Sequence, residues 1–265
     1  MSNLTKISAT WDKVWQDKNN LTEWDYLSQI VVEILISETP FIETTAIEVG
    51  SGSGRISHKL AQLGAKVTLL DISQQAIKEG EKLFQSTNHR CHLIRGSLFQ
   101  IPCRNSSYDV VWNAGVVEHY LNDELESSLK EMSRVCHGKG LVIVIVPYAG
   151  SFLHTIGKAS IEKFLEYPFG GEYPIKTLKK ELEAISCKFA KKEYSIGFFV
   201  LFVGAFKRLM LFRGGNVFKP ILKTLNRFFI NASLHPFFGP ILKKLDLKLS
   251  KLFGGYLLVS VFNKK

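Results

Sequence analysis

The chain has 265 residues, of which 46% are apolar, a composition typical of a folded globular protein and not of a low-complexity chain. Its net charge of +10 is concentrated at one end, because residues 198–265 hold twelve of the 34 Lys and Arg but a single acid, Asp246. The first residues contain no apolar run as long as a secretion signal, and the four cysteines form no Cys-x-x-Cys pair. We therefore expect a cytoplasmic protein with reduced structural thiols and no metal site.

Two helices are predicted at the start of the chain, over residues 5–18 and 21–37. Trp11 and Trp15 are four residues apart and therefore share one face of the first helix. They either pack plainly against the domain or form an aromatic lid over a ligand cleft. Since Pro40 ends this segment, residues 1–40 are predicted to be a helical lid.

A glycine-rich turn, Gly50-Ser-Gly-Ser-Gly54, follows an apolar strand at 46–49 and opens a helical pattern. Three residues without Cβ let backbone N–H groups approach a ligand closely, at the positive end of the helix dipole. The next strand, at 67–70, ends on Asp71, where a βαβ unit presents a carboxylate to ribose hydroxyls. A glycine turn by itself is also common as a flexible turn, so it is this context that favours a nucleotide-like ligand.

Strands and helices alternate over the rest of the chain, which predicts an α/β fold with an open, doubly wound, mostly parallel seven-stranded sheet. Ligands of such sheets lie beyond the carboxyl ends of the strands. The core is predicted at 41–197, with its final strand in 254–265. The remaining predicted strands are 91–94, 108–112, 141–146, 189–195 and 256–262, and the helices are 73–86, 122–136 and 175–187. A long connection at 148–173, which contains His154, is predicted to be functional.

Five stretches in order resemble the class I S-adenosylmethionine-dependent methyltransferases: 48–54, 70–73, Ile101-Pro102, 108–119 and 131–135. The subgroup that they resemble most includes the ubiquinone and menaquinone methyltransferases, and the resemblance covers roughly residues 44–147. It implies a Rossmann-like methyltransferase fold. It also implies S-adenosylmethionine as cofactor and S-adenosylhomocysteine as product.

By this resemblance, the glycines shape the loop under the methionine and ribose parts of the cofactor, and Asp71 accepts both ribose hydroxyls. Backbone carbonyls of Asn113 and Ala114 would line the floor near the sulfonium. After Gly96 the family usually has an acid for the adenine amino group, whereas this chain has Ser97, a weaker acceptor. The implied cofactor-binding residues are Glu48, Gly50, Gly52, Gly54, Asp71, Ile72, Ser97, Leu98, Asn113 and Ala114.

His119 follows strand four at the cleft and is the candidate base for an acceptor hydroxyl or amine. Alternatively, it only orients its loop. Trp11, Trp15, Tyr120 and Tyr148 are the candidate residues of the acceptor pocket.

Residues 198–253 separate the sixth and last strands, where the family has a short hairpin. The apolar run at 198–206 is too short to cross a bilayer. Two amphipathic helices follow, with apolar faces formed by Phe218, Ile221, Leu222, Leu225, Phe228, Phe229 and Ala232, and by Ile241, Leu242, Leu245, Leu249 and Leu252. They form a cap on the sheet, a lid over a hydrophobic acceptor, or a basic surface that lies on anionic lipid. Nucleic acid is less favoured, because these Phe residues have core-like spacing and are not expected to be exposed.

The sequence thus predicts a methyltransferase that moves a methyl group to an O or N atom of a small, apolar acceptor. It would work in the cytoplasm and at the inner face of a membrane, which it would contact through 198–253. One alternative is methylation of a polar metabolite or sugar, with a purely structural insertion. The other is a non-catalytic cofactor-binding or scaffold protein. The sequence makes no prediction of the oligomeric state.

Overall fold

The computed structural model describes residues 3–16, 24–151, 173–185, 188–201 and 219–263. Its strands form one seven-stranded sheet in the order β3-β2-β1-β4-β5-β7-β6. β7 is antiparallel to both of its neighbours, and the other pairings are parallel, which confirms the predicted sheet. The strands are β1 Thr45–Val49, β2 Lys66–Asp71, β3 Cys91–Arg95, β4 Tyr108–Ala114, β5 Cys136–Pro147, β6 Lys188–Ile196 and β7 Leu257–Asn263.

Helices cover both faces of the sheet. Ile143 and Val144 are successive residues of β5, yet they belong to two different hydrophobic cores, one on each side of the sheet. Strand β5 is therefore apolar on both faces, as a central strand should be. The described helices are α1 Asn3–Gln16, α2 Tyr26–Glu38, α3 Arg55–Gln62, α4 Gln74–Ser86, α5 Asn122–Val135, α6 Lys179–Ala184, α7 Lys219–Leu234 and α8 Phe238–Phe253, with a short 3₁₀ helix at Val117–His119.

Strand β5 begins earlier than predicted, at Cys136 instead of 141, because the chain pairs with Tyr108 before a register shift. Gly140 makes this path feasible. A Cβ at that position would collide with the carbonyl oxygen of Asp109 on the neighbouring strand. The glycine therefore permits a close contact between two neighbouring strands.

Helix α6 is shorter than the predicted 175–187 because a side chain of β6 binds the backbone before it. Glu193 accepts hydrogen bonds from the Leu178 N–H at 2.9 Å and from the Thr177 hydroxyl at 2.6 Å. These bonds hold Thr177 outside the helix, which begins at Lys179.

Helices α7 and α8 lie in the chain between β6 and β7. On the inner side of α7, the Phe229 ring packs on Tyr26 and Phe199, with centroids 5.1 and 5.5 Å away. Of the apolar residues on these two helices, Ile221, Phe228, Ile241, Leu245 and Leu252 are exposed. The exposure of Phe228 also removes the reason given above against nucleic acid. None of the described helices has the length and apolarity needed to cross a bilayer.

Several sequence predictions concern residues that lie outside the described ranges. Residues 152–172, which make up most of the predicted connection and include His154, are not among the described residues. The same holds for Cys187 and for 202–218, which contains Phe218 and the end of the apolar run.

Candidate functional site

A cavity of about 200 Å³ lies at the carboxyl ends of β1, β2 and β4. This is the edge at which an open α/β sheet binds its ligands. Most of the predicted cofactor residues meet here: Glu48, Gly50, Gly52, Asp71, Ile72, Ser97, Leu98 and Ala114. The cavity is also lined by Trp11, Trp15, His119 and Tyr120.

The glycine turn forms one wall of this cavity in a conformation that side chains disfavour. Gly52 and Gly54 have φ angles of 53° and 66°. A Cβ at Gly52 would collide with the indole of Trp15, and a Cβ at Gly54 with Leu69. Gly54 does not line the cavity but caps the start of α3, so it shapes the turn from behind.

Asp71 links the glycine turn to the start of α4. One carboxylate oxygen accepts the Gly52 N–H at 2.8 Å, and the other accepts the Ser73 N–H at 2.8 Å. Burial raises the pKa of Asp71, although the hydrogen bonds from Ser73, Gly52 and Ile72 oppose that rise. Each carboxylate oxygen can accept more than one hydrogen bond, so Asp71 retains acceptors for ribose hydroxyls.

Glu48 is the second buried carboxylate of the cavity. Its residue is only 6% exposed, and Oε2 has no hydrogen-bond partner among the described residues. Burial raises the pKa of Glu48 to about 8. A buried carboxylate of this kind is stabilised by a cationic group of a ligand, such as an ammonium group.

Helix α1 covers the cavity and is fixed to the sheet by two polar contacts. Asp12 accepts hydrogen bonds from the Ser73 hydroxyl at 2.6 Å and from the Gln75 N–H at 3.0 Å, at the start of α4. The Ser8 hydroxyl donates to the carbonyl of Ile72 at 3.0 Å. The pKa of Asp12 is lowered, since these hydrogen bonds outweigh the effect of partial burial. The helix that carries the two tryptophans therefore lies over the ligand cleft, as the lid interpretation expects.

The loop after β3 forms the opposite wall. Ser97 lines the cavity, but its hydroxyl oxygen already accepts the Phe99 N–H at 3.2 Å. Phe99 also lines the cavity and packs edge-on against Tyr120, with ring centroids 4.8 Å apart. An adenine ring in this wall would meet apolar surface from Ile72 and Leu98 and a weak acceptor in Ser97.

Besides Gly54, two predicted residues do not line the cavity. Asn113 is fully buried beneath it, and its Nδ2 donates to the Met132 sulfur at 3.5 Å, so the lining begins at Ala114. Tyr148 lines neither this cavity nor the second cavity described below. Its backbone N–H donates to the carbonyl of Tyr256, and it forms an isolated β-bridge with Ile175.

A second cavity of about 310 Å³ adjoins the first. Trp11, Arg55, Ile56, Ala114, Gly115 and His119 line both cavities. The rest of the second lining is largely apolar and consists of Leu27, Ser28, Val31, Glu118, Ile145, Pro147, Tyr256 and Leu257. The His119 ring packs edge-on against Trp11 at 5.5 Å between centroids. His119 therefore borders two cavities, of which the first also contains the carboxylates of Glu48 and Asp71.

The sequence reasoning missed Phe99, Arg55, Tyr256 and Leu257. Arg55 directly follows the glycine turn, so its position was a usable signal. Leu257 starts β7, and because that strand is antiparallel its amino end lies beside Pro147 at the carboxyl edge. If the antiparallel direction of β7 had been predicted, Leu257 would have been expected at the carboxyl edge of the sheet, in the wall of the second cavity.

Residues 47–144 match the family model described as "Methyltransferase domain". This part of the chain is therefore similar to the methyltransferase domains of that family. Over 155 residues the chain is 26% identical to malonyl-[acyl-carrier protein] O-methyltransferase of Buchnera aphidicola, covering 58% of this chain and 59% of the relative. Over 105 residues it is 32% identical to the mitochondrial ubiquinone biosynthesis O-methyltransferase of Schizosaccharomyces pombe, covering 38% and 36%. The chain thus spans between a third and three fifths of the length of these relatives.

The fold of the methyltransferase domain also occurs in solved structures. One is 1,6-didemethyltoxoflavin-N1-methyltransferase of Burkholderia thailandensis with bound 1,6-didemethyltoxoflavin and S-adenosylhomocysteine. It is 12% identical, with a TM-score of 0.60, and the match covers 100% of this chain and 92% of that one. This likeness establishes the fold. The relatives include O- and N-methyltransferases and do not single out the quinone subgroup.

Proposed function

We propose that the chain is an S-adenosylmethionine-dependent methyltransferase that moves a methyl group to an O or N atom of a small, apolar acceptor. The observation that carries this proposal is the pair of adjoining cavities at the carboxyl edge of the sheet. One is lined by the glycine turn and two buried carboxylates, and the other is largely apolar. A cofactor site and an acceptor site that share a wall are what a group transfer requires.

The residues present fit the cofactor. The Trp15 indole can lie close to the turn because Gly52 lacks a Cβ, Asp71 has acceptor capacity left for hydroxyls, and Glu48 has a buried oxygen without a hydrogen-bond partner among the described residues. When bound, S-adenosylmethionine supplies a methyl group that is already activated for transfer. The main task of the protein is then to orient the acceptor and to exclude water.

Each residue of the cleft has a proposed part in that task. Trp15 and Trp11 cover the cleft and exclude water. His119 takes the proton that an acceptor hydroxyl or amine loses, since it borders both cavities. Burial raises the pKa of Tyr120 to about 12, so Tyr120 keeps its proton at neutral pH and can donate a hydrogen bond to the acceptor.

The apolar character of the acceptor is inferred from the second cavity. Leu27, Val31, Ile145 and Leu257 are among its lining residues, and a ring or acyl group would displace water from such apolar side chains. Such an acceptor partitions into lipid, which makes a membrane its natural source. A quinone precursor is one member of this class of acceptor.

The role of His119 is tested with His119→Gln. We expect turnover to fall by roughly 100-fold, the lower end of general-base contributions, with the affinity for S-adenosylhomocysteine unchanged. His137→Gln is the matched control, because His137 is exposed and far from both cavities. Full activity of His119→Gln would leave His119 as a residue that only orients its loop.

The acceptor class is tested by methyl transfer from labelled cofactor to lipophilic phenols, carboxylic acids, amines, sugars and polar metabolites. We expect transfer to a lipophilic member, and a roughly tenfold higher KM for it in Leu27→Trp, which fills the second cavity, but not in the exposed control Leu63→Trp. Transfer to sugars alone would contradict the apolar acceptor. Cofactor binding without any transfer would favour a non-catalytic protein.

A further inference from the structure

Helix α8 packs on the protein through Leu247 and through small or polar residues, and it exposes several of its apolar side chains. Its buried residues are Gly239, Asp246 and Ser250, which are small or polar. Its apolar side chains Ile241, Leu245 and Leu252 are between 44% and 65% exposed. Because an ordinary surface helix buries its apolar side, something other than the described core is expected to cover the outer side of α8.

The exposed apolar residues of α8 form a stripe. Phe238, Ile241, Leu245 and Leu252 are separated by three, four and seven residues, which places them on one face of the helix. Four further large apolar side chains that are exposed lie on α7 or at its turn into α8: Ile221, Phe228, Leu234 and Phe237. We call these eight residues, together with Phe253 at the end of α8, the apolar stripe.

Lysines border this stripe. Lys244, Lys248 and Lys251 are exposed and spaced by four and three residues, so they form a row beside it. On α7, Lys223 and Arg227 are exposed at a spacing of four. The region therefore presents apolar and cationic side chains next to each other.

No exposed acid offsets this charge in the described residues 219–263. The single acid of that stretch, Asp246, is 1% exposed and faces inward. It accepts hydrogen bonds from the N–H groups of Gly197 at 2.7 Å and Phe199 at 3.0 Å, which anchors α8 to the end of β6. The outer surface is consequently cationic along its whole length.

We propose that α7 and α8 lie on the surface of an anionic lipid bilayer, with the apolar stripe in the boundary between headgroups and acyl chains and the lysines on the phosphates. A helix of 16 residues is about 24 Å long, so α8 can rest in the plane of the membrane. This proposal is independent of the proposed methyl transfer.

The chemistry of the surface favours lipid over two other occupants. A second copy of this chain would bring the row Lys244, Lys248 and Lys251 near its own equivalent, with no exposed acid on either side. Nucleic acid would pair with the lysines and stack on Phe237 and Phe238. It would gain little from Ile241, Leu245 and Leu252, because aliphatic side chains do not stack on bases.

The surface also lies near the acceptor cavity along the chain. Leu252 and Phe253 end α8, and after two glycines Tyr256 and Leu257 line the second cavity. A lipid-soluble acceptor would therefore have a short path from the bilayer to the sheet edge.

The test is flotation of the full chain with phosphatidylcholine vesicles, with and without phosphatidylglycerol, at low and high salt. Lys244→Gln/Lys248→Gln/Lys251→Gln should weaken binding to anionic vesicles about a hundred-fold. Lys59→Gln/Lys78→Gln/Lys130→Gln removes the same charge from exposed sites on α3, α4 and α5 and should cause a much smaller loss. Ile241→Ser/Leu245→Ser/Leu252→Ser should abolish the binding that persists at high salt.

Circular dichroism and thermal melts check that each variant is folded, which is expected because all substituted side chains are exposed, those of the control set on α3, α4 and α5 and the others on α8. The proposal is overturned if the lysine variant and its control float equally. It is also overturned if the serine variant floats like the original chain, or if the serine substitutions only convert a dimer to a monomer in sedimentation. Tight binding to a single-stranded RNA that survives the serine substitutions, without flotation, would assign the surface to nucleic acid instead.

Discussion

Helices α5 and α8 have similar lengths and similar amphipathic patterns, but they use their apolar sides in opposite ways. In α5, Leu129, Met132 and Val135 are fully buried against the sheet. In α8, the apolar stripe points away from the protein, and Asp246 and Ser250 face inward. The comparison teaches that a helical period in a sequence identifies an apolar face without identifying what that face contacts.

The sharpest test of this contrast is a matched pair of leucine substitutions. Leu129→Ala removes side-chain volume from a packed core and should lower the free energy of unfolding by about 2–5 kcal/mol. Leu245→Ala, on the exposed stripe, should change it by less than about 0.5 kcal/mol. Denaturant unfolding measures both. A cost of several kcal/mol for Leu245→Ala would mean that α8 packs on the protein in the ordinary way.

The inward polar side of α8 gives the next largest expected effect. Asp246→Ala leaves the N–H groups of Gly197 and Phe199 without their acceptor and should cost about 2–3 kcal/mol. Asp246→Asn keeps one acceptor oxygen and should cost less. Equal stability of the original chain and Asp246→Ala, measured by denaturant unfolding, would show that this anchor contributes nothing.

Much of the fold and of the cofactor cleft could be predicted from sequence, because both depend on local signals. The glycine turn, Asp71 and the alternation of β and α patterns lie within short windows of the chain. The length of α6 could not be predicted, since Glu193 determines it from another strand. The orientation of α8 could not be predicted either. Asp246 faces inward because it accepts hydrogen bonds from the N–H groups of Gly197 and Phe199, almost 50 residues away. The wall formed by Leu257 depends on the direction of β7.

The two buried carboxylates Asp246 and Glu48 extend the comparison to the cleft. Both oxygens of Asp246 accept hydrogen bonds from backbone N–H groups, whereas Glu48 Oε2 has no hydrogen-bond partner among the described residues, which supports the proposal that Glu48 binds a ligand. The pKa of Glu48 is raised to about 8, so most of this carboxyl is protonated at neutral pH. If Glu48 must ionise to bind a cationic ligand, affinity should rise up to tenfold per pH unit below about 8 and level off above it.

Isothermal titration of S-adenosylhomocysteine at several pH values, in buffers of different ionisation enthalpy, measures this proton release. Glu48→Gln should bind more weakly and lose the pH dependence. A pH dependence that is unchanged in Glu48→Gln would assign the titration to another group.

The smallest expected effect concerns Ile101-Pro102 and residues 131–135, two of the motifs on which the family resemblance rests. Arg134 donates to the carbonyls of Ile101 and Cys103 at 2.7 and 2.8 Å, and Glu131 accepts the Ile101 N–H at 2.9 Å. This arrangement fixes the loop before β4 to α5. Because Arg134 is partly exposed, Arg134→Met should cost only about 1–2 kcal/mol in denaturant unfolding and leave cofactor affinity within about twofold. A large loss of affinity would give the motif a direct part in the site.

The central claim is that the carboxyl edge of the sheet binds S-adenosylmethionine through the glycine turn and Asp71. Isothermal titration of S-adenosylhomocysteine tests it most directly, with Asp71→Ala beside Asp109→Ala, which removes an exposed carboxylate bonded to Thr45 outside both cavities. We predict binding to the original chain, binding of similar strength to Asp109→Ala, and a loss of about 100-fold in Asp71→Ala. Equal affinity of all three proteins, or no binding to any of them, would contradict the account.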